Sequence, residues 1–166
     1  ASNSQGDGIH TSGQVPATGL VEDIVWRVRD LVGGEAEVWF PGAKRLELSL
    51  IGPDGTVVLD ALQPGNTAEI ADEQGKLAVF ASSRLAEPNN GDNVLGIYLA
   101  PGLPGGDWTI RLRSLGGDAV DYHAWVERLD SAQSSFARPV TTHTLGSIST
   151  GRLSVVVGSY DAHKTS

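Results

Sequence analysis

"RLELSLIGPDGTVVL", residues 45–59, decides how the chain folds. Leu46, Leu48 and Leu50 share one phase of an alternation and Glu47 and Ser49 the other, the period-2 signal of a strand with one buried face. "GPDG" follows, with Pro53 where a turn needs a fixed φ, and "TVVL" resumes the apolar pattern. The stretch is a β-hairpin. Similar runs lie on either side: "LVEDIVWRV" (20–28), "AEVWF" (36–40), "KLAVFASS" (76–83), "VLGIYLA" (94–100), "DWTIRLR" (107–113) and "AVDYHAWVER" (119–128). In "DWTIRLR" the residues Trp108, Ile110 and Leu112 point one way, and Thr109, Arg111 and Arg113 the other. About eight strands at about a dozen residues' spacing, joined by Gly/Pro loops, predict an all-β, antiparallel β-sandwich of jelly-roll type over residues 20–129. No amphipathic helix pattern interrupts them.

Composition narrows the function. A chain of 166 residues fits one domain and, once folded, buries roughly 70% of its unfolded surface. With 40% hydrophobic residues, 19% charged residues and 21 glycines it reads as globular and rich in turns, not as disordered. The lack of cysteine excludes disulfides, thiolate metal sites and cysteine nucleophiles together. The net charge is −8 and no window clusters Lys or Arg, so nucleic acid is not an expected partner. No apolar run reaches the roughly 18 residues of a membrane span, so no membrane partner is expected either. The start, "ASNSQGDGIHTSGQ", has neither the basic end nor the apolar centre of a signal peptide.

The flanks have another character. Residues 1–19 and 130–150 carry Ser, Thr, Gln, Gly and His with little periodicity, as linkers do. "LSVVVGSYD" near the other end is a continuous Val-rich run, suited to a strand covered on both faces as in parallel α/β sheets.

Sites of chemistry are sparse. Histidines 10, 123, 143 and 163 are widely scattered, without H-E-x-x-H or any short ligand spacing, so no metal site is expected from them. His123 alternates with Tyr122 and Ala124 and reads as solvent-facing or hydrogen-bonded. "GSISTGR" lacks the Lys and Ser/Thr of a phosphate loop, and no G-x-S-x-G elbow occurs. "EPNNGDN", residues 87–93, offers Glu87 and Asp92 as candidate calcium ligands, with a solvated turn as the alternative, since turns use the same residues. No other cofactor is implied. Tryptophans 26, 39, 108 and 125 suit either a core or a carbohydrate-stacking platform. Trp108 lies on an apolar phase and Trp125 on the phase of His123.

The two ends together resemble the subtilisin-like serine proteases. "GSISTGRLSVVVGSYDA" is similar to the segment where a small-residue turn enters a central V-x-V-G-A-x-D strand, with Gly158 and Asp161 in the matching places. "ASNSQGDGIHTSGQVP" resembles the family's A-G-N-x-G loop and its I-H-A-S-G-like continuation, although Ser2 and Ser4 stand where glycines are expected. "GGDWTIRLRSLGGDAVDYHAWVERLD" resembles jelly-roll domains that interrupt such proteases.

The resemblance implies three parts. Residues 1–19 would be an oxyanion-loop segment, 20–129 an inserted sandwich, and 130–166 a linker and core-strand segment of the protease's α/β core. Asn3 would be the oxyanion-hole donor. The catalytic Asp and His would lie upstream of Ala1 and the nucleophilic serine downstream of Ser166, so the chain alone is expected to be inactive. Its expected partners are the rest of the parent protease domain, the parent's peptide or protein substrate, and a second copy through the 153–157 strand. A secreted or cell-surface location goes with the family. Two readings from other classes stand beside this one: a binding module for carbohydrate or protein, with Trp26, Trp39 and Trp125 on one face, and a structural spacer.

Overall fold

The computed structural model describes residues 6–17, 19–129 and 132–143. Its strands are β1 (His10–Val15), β2 (Val21–Val28), β3 (Gly34–Phe40), β4 (Leu46–Ile51), β5 (Val57–Leu62), β6 (Thr67–Ala71), β7 (Leu77–Arg84), β8 (Asn93–Leu99), β9 (Gly106–Ser114), β10 (Val120–Val126) and β11 (Ser135–Phe136). Among the described residues there is no helix. One sheet has the order β1-β10-β3-β8-β7-β6 and the other β11-β2-β9-β4-β5, every pairing antiparallel. Opposing β1-β10-β3-β8 to β2-β9-β4-β5 gives the double Greek-key order of a jelly roll. The β6–β7 hairpin extends the first sheet and β11 the second.

The hairpin forms as its sequence dictates. β4 pairs with β5 across the "GPDG" turn, where the Gly55 amide donates to the Gly52 carbonyl at 3.0 Å. Gly55 sits at φ 84°, in the left-handed region that glycine enters without a Cβ penalty. Asp54 caps the turn by accepting from the Thr56 amide at 2.9 Å. Leu46, Leu48 and Leu50 then turn inward and lose all solvent exposure. Burying each stabilises the fold by about 1.5–3 kcal/mol. They share one core with Val38, Leu95, Leu99, Ile110 and Leu112 from both sheets.

Trp108 and Trp26 are core residues too. Trp108 donates its indole N–H to the Pro104 carbonyl at 3.1 Å, whereas the buried N–H of Trp26 has no partner among the described residues. The platform of Trp26, Trp39 and Trp125 is therefore not formed, because Trp26 lies on the inward phase of β2.

Among the described residues there are eleven strands where alternation indicates about eight, and the sandwich takes in residues of both flanks. β1 escapes the pattern because its inward residues are Thr11, Gly13 and Val15. Tyr122 fills the space above Gly13 instead: a Cβ there would stand 2.7 Å from the tyrosine oxygen. That hydroxyl reaches across to donate to Glu22 at 3.2 Å. After β11 the chain runs on as a strap, residues 137–143, along the edge where the two sheets meet. The Phe136 amide donates to Gly8 O, the Ala137 amide to Val25 O and the Val140 amide to His10 O, at 2.8–2.9 Å.

Candidate functional site

On β10, Val120, Tyr122, Ala124 and Val126 are buried, so Asp121, His123 and Trp125 face outward. Register then decides their company. His10 of β1 is opposite Trp125 and Ser12 opposite His123, which makes His10 and His123 diagonal neighbours on the outer face. Side chains as long as an imidazole meet across that diagonal. On the other side of β10, Trp39 of β3 is opposite His123.

The strap completes the arrangement. It covers His10, which has no exposed surface, and carries His143 to the same place. One ring nitrogen from each of His10, His123 and His143 lies within 4.8 Å of the others, and their exposure runs from buried through half-buried to exposed. Among the described residues no other three His, Asp or Glu side chains gather so. Trp125 packs over the group, its ring centroid 4.8 Å from that of His10 and 5.6 Å from that of His123. Its indole N–H donates to the His143 carbonyl at 2.9 Å, which holds the strap end in place.

The hydrogen bonds fix the tautomers. His10 Nδ1 lies 3.2 Å from the Val140 carbonyl, which can only accept, so Nδ1 carries the proton and Nε2 of the neutral ring is left with its lone pair. His123 Nδ1, 3.0 Å from that Nε2, is then the donor. Burial holds the His10 pKa below the ordinary imidazole value, the Val140 hydrogen bond opposes it, and the charges of His123 and His143 lower it further. His123 is lowered as well, by burial first and His143 second, against a raising effect of Asp121. Neutral imidazoles at neutral pH follow from both.

Beside the histidines a cleft of about 500 Å³ opens between Trp39, Pro41, Asp92, Asp121, His123 and Trp125. Two half-buried indoles with two carboxylates at the rim can stack on a flat ring and accept from its hydroxyls or amides.

Of the residues singled out in the sequence, Asp92 lines this cleft and Glu87 does not. Their loop is closed by its own bonds: Asp92 N–H to Asn90 Oδ1 at 3.0 Å and Gly91 N–H to Glu87 O at 2.7 Å. Asn3 and the 153–157 strand lie outside the described residues, as does His163. The histidines are scattered in the sequence, yet the fold brings three of the four together. Sequence spacing hides them because they lie 113 residues apart between His10 and His123, and on three separate segments. The readable signal was topology, since a jelly roll pairs its first strand with its last long one and so sets His10 beside His123.

No family model matches the chain, and no curated protein matches it either. Among solved structures it is similar to the structure of the Clostridium perfringens CspB protease, with a TM-score of 0.74 and 20% sequence identity. The likeness covers 96% of this chain and 33% of that one, so the chain spans about a third of that protein's length. At this identity the likeness shows a shared fold, one that occurs within a protease.

Proposed function

We propose that the chain is the non-catalytic insert region of a subtilisin-like serine endopeptidase, its sandwich modulating substrate access or stability. The observation that carries this reading is the fold likeness to part of a protease over 96% of the chain. The motif resemblance of residues 1–16 and 146–162 supports it, as does the course of the ends. The β1 and strap segments lie side by side, with Val140 N 2.8 Å from His10 O, and neighbouring ends are what insertion into a host chain requires.

In the parent, a serine supplied downstream attacks the peptide carbonyl, a histidine supplied upstream takes its proton, and Asn3 donates to the oxyanion. The parent is secreted or surface-exposed. The polypeptide extended on both sides by its natural flanking sequence tests this. It is expected to cleave peptide substrates and to be labelled by a fluorophosphonate serine probe, while residues 1–166 alone are not. With Asn3→Leu, kcat should fall by about 100- to 1000-fold. An extended chain with no Asp/His region before Ala1 and no serine motif after Ser166 overturns the reading.

The indole-walled cleft favours a second reading, a module that recognises carbohydrate or a protein side chain. Saturable binding of an oligosaccharide to residues 1–166, abolished by Trp39→Ala, would decide for it.

A further inference from the structure

We propose that His10, His123 and His143 bind a divalent transition-metal ion, zinc in the first instance, which clamps the strap to the edge of the six-stranded sheet.

The ligand chemistry is in place. Imidazole nitrogens suit Zn²⁺, Ni²⁺ and Cu²⁺, and the chain has no thiolate to compete. Two nitrogens bound tetrahedrally to one zinc at Zn–N of about 2.0–2.1 Å stand about 3.3 Å apart. His10 Nε2 and His123 Nδ1 are 3.0 Å apart, so this pair needs an opening of only a few tenths of an ångström. The third nitrogen, within 4.8 Å, closes the set by an approach of about 1.5 Å. His143 is exposed and at the end of the strap, so a ring rotation supplies that movement.

The surroundings fit a ligand set as well. A metal-bound histidine ordinarily donates its other N–H to a backbone carbonyl or carboxylate, which fixes the tautomer. His10 already does so toward Val140 O, and that carbonyl is itself held by the Val140 amide bond to His10 O. Burial keeps His10 and His123 neutral, the state that binds metal. Binding converts the His123 tautomer from Nδ1–H to Nε2–H by exchange with water, so neutral rings release no net proton. Three protein ligands leave a fourth position for water or an incoming group. His123 also lines the cleft, which sets that position at its margin.

An aromatic edge with no metal affinity is the competing account, and the two differ in solution. Zn²⁺ titrated into metal-free residues 1–166 at pH 7.5, followed by calorimetry and against a coloured chelator, is expected to show one saturable site per chain and to raise Tm. Co²⁺ should give a visible d–d band. His143→Gln and His123→Gln should each weaken binding by at least about tenfold, the scale on which even supporting residues act. His163→Gln should change nothing. Because His143 is exposed, His143→Gln should keep the near-UV spectrum of the metal-free protein and decides the matter by itself if His123→Gln misfolds. No saturable 1:1 binding of Zn²⁺, Ni²⁺ or Cu²⁺ overturns the proposal, and so does undiminished binding by His143→Gln. The site rests on ring geometry and not on the peptidase reading, so either can fail without the other.

Discussion

The outer faces of the two sheets come from the same alternating pattern and do opposite things. On the five-stranded sheet, polar side chains satisfy one another across strands. Arg111 makes two 2.7 Å bonds to the Asp23 carboxylate, Arg113 pairs with Glu47, and Ser49 donates to Asp60. On the six-stranded sheet the same phase presents Trp39, Phe80, Tyr98, His123 and Trp125, half-buried and largely without partners among themselves beyond ring contacts. Alternation says which residues point out. Whether they complete the fold or stand ready for a ligand depends on who their cross-strand neighbours are.

The sharpest way to break this contrast is at Glu47, which is 6% exposed and accepts from both Arg113 and Gln63. Glu47→Ala strands those donors, and urea unfolding should show a loss of about 1–3 kcal/mol, less than for a fully buried pair because Arg113 is half-exposed. An unchanged midpoint would mean that the polar face is decoration. On the opposite face, Trp125→Ala removes the bond to the His143 carbonyl and the stack on His10. A loss of about 1–2 kcal/mol is expected, with amide exchange rising in residues 138–143 while β4 and β9 keep their protection. Uniform exchange throughout would contradict a separately anchored strap.

Smaller effects sharpen the comparison. The Asp23–Arg111 pair is two-fifths exposed on each side, so Arg111→Ala should cost under about 1 kcal/mol, a loss that shrinks in molar salt. A loss independent of salt would point to packing instead. Glu35, beside the aromatic face, has its pKa raised by burial and then by the charges of Glu127 and Glu37. Its ionised form is the disfavoured one in the fold, so its contribution is present below the ordinary value of 4.5 and is lost as pH rises through the raised value. Glu35→Gln should therefore raise Tm slightly at pH 7 and leave it unchanged at about pH 4 and below. A gain at low pH would reverse the sign.

What the sequence shows and what it hides divide along the same line. The β4–β5 hairpin was legible because Leu46, Leu48 and Leu50 alternate cleanly into a Pro/Gly turn, and Trp108 was legible as core from its phase. β1 was not. Its inner positions hold Gly13 and Thr11 because the tyrosine of a distant strand occupies the space that apolar side chains of its own would fill. The histidine group was hidden for a related reason: strand register and the strap assemble it, and neither leaves a mark at fixed spacing. Half of the cleft could be anticipated, since His123 and Trp125 share an outward phase, but Trp39 joins them only through the β3–β10 pairing.

The pairing of β1 with β10 also has a temporal side. β1 leaves the ribosome more than a hundred residues ahead of β10, its sheet neighbour, and contacts of such separation form slowly. Meanwhile "HTSGQV" waits as an open strand, and its hydroxyls, amide and glycine make it a poor template for aggregation where an apolar run would be a good one. The polar composition that conceals this strand from a pattern search is thus what lets it wait safely in water during synthesis.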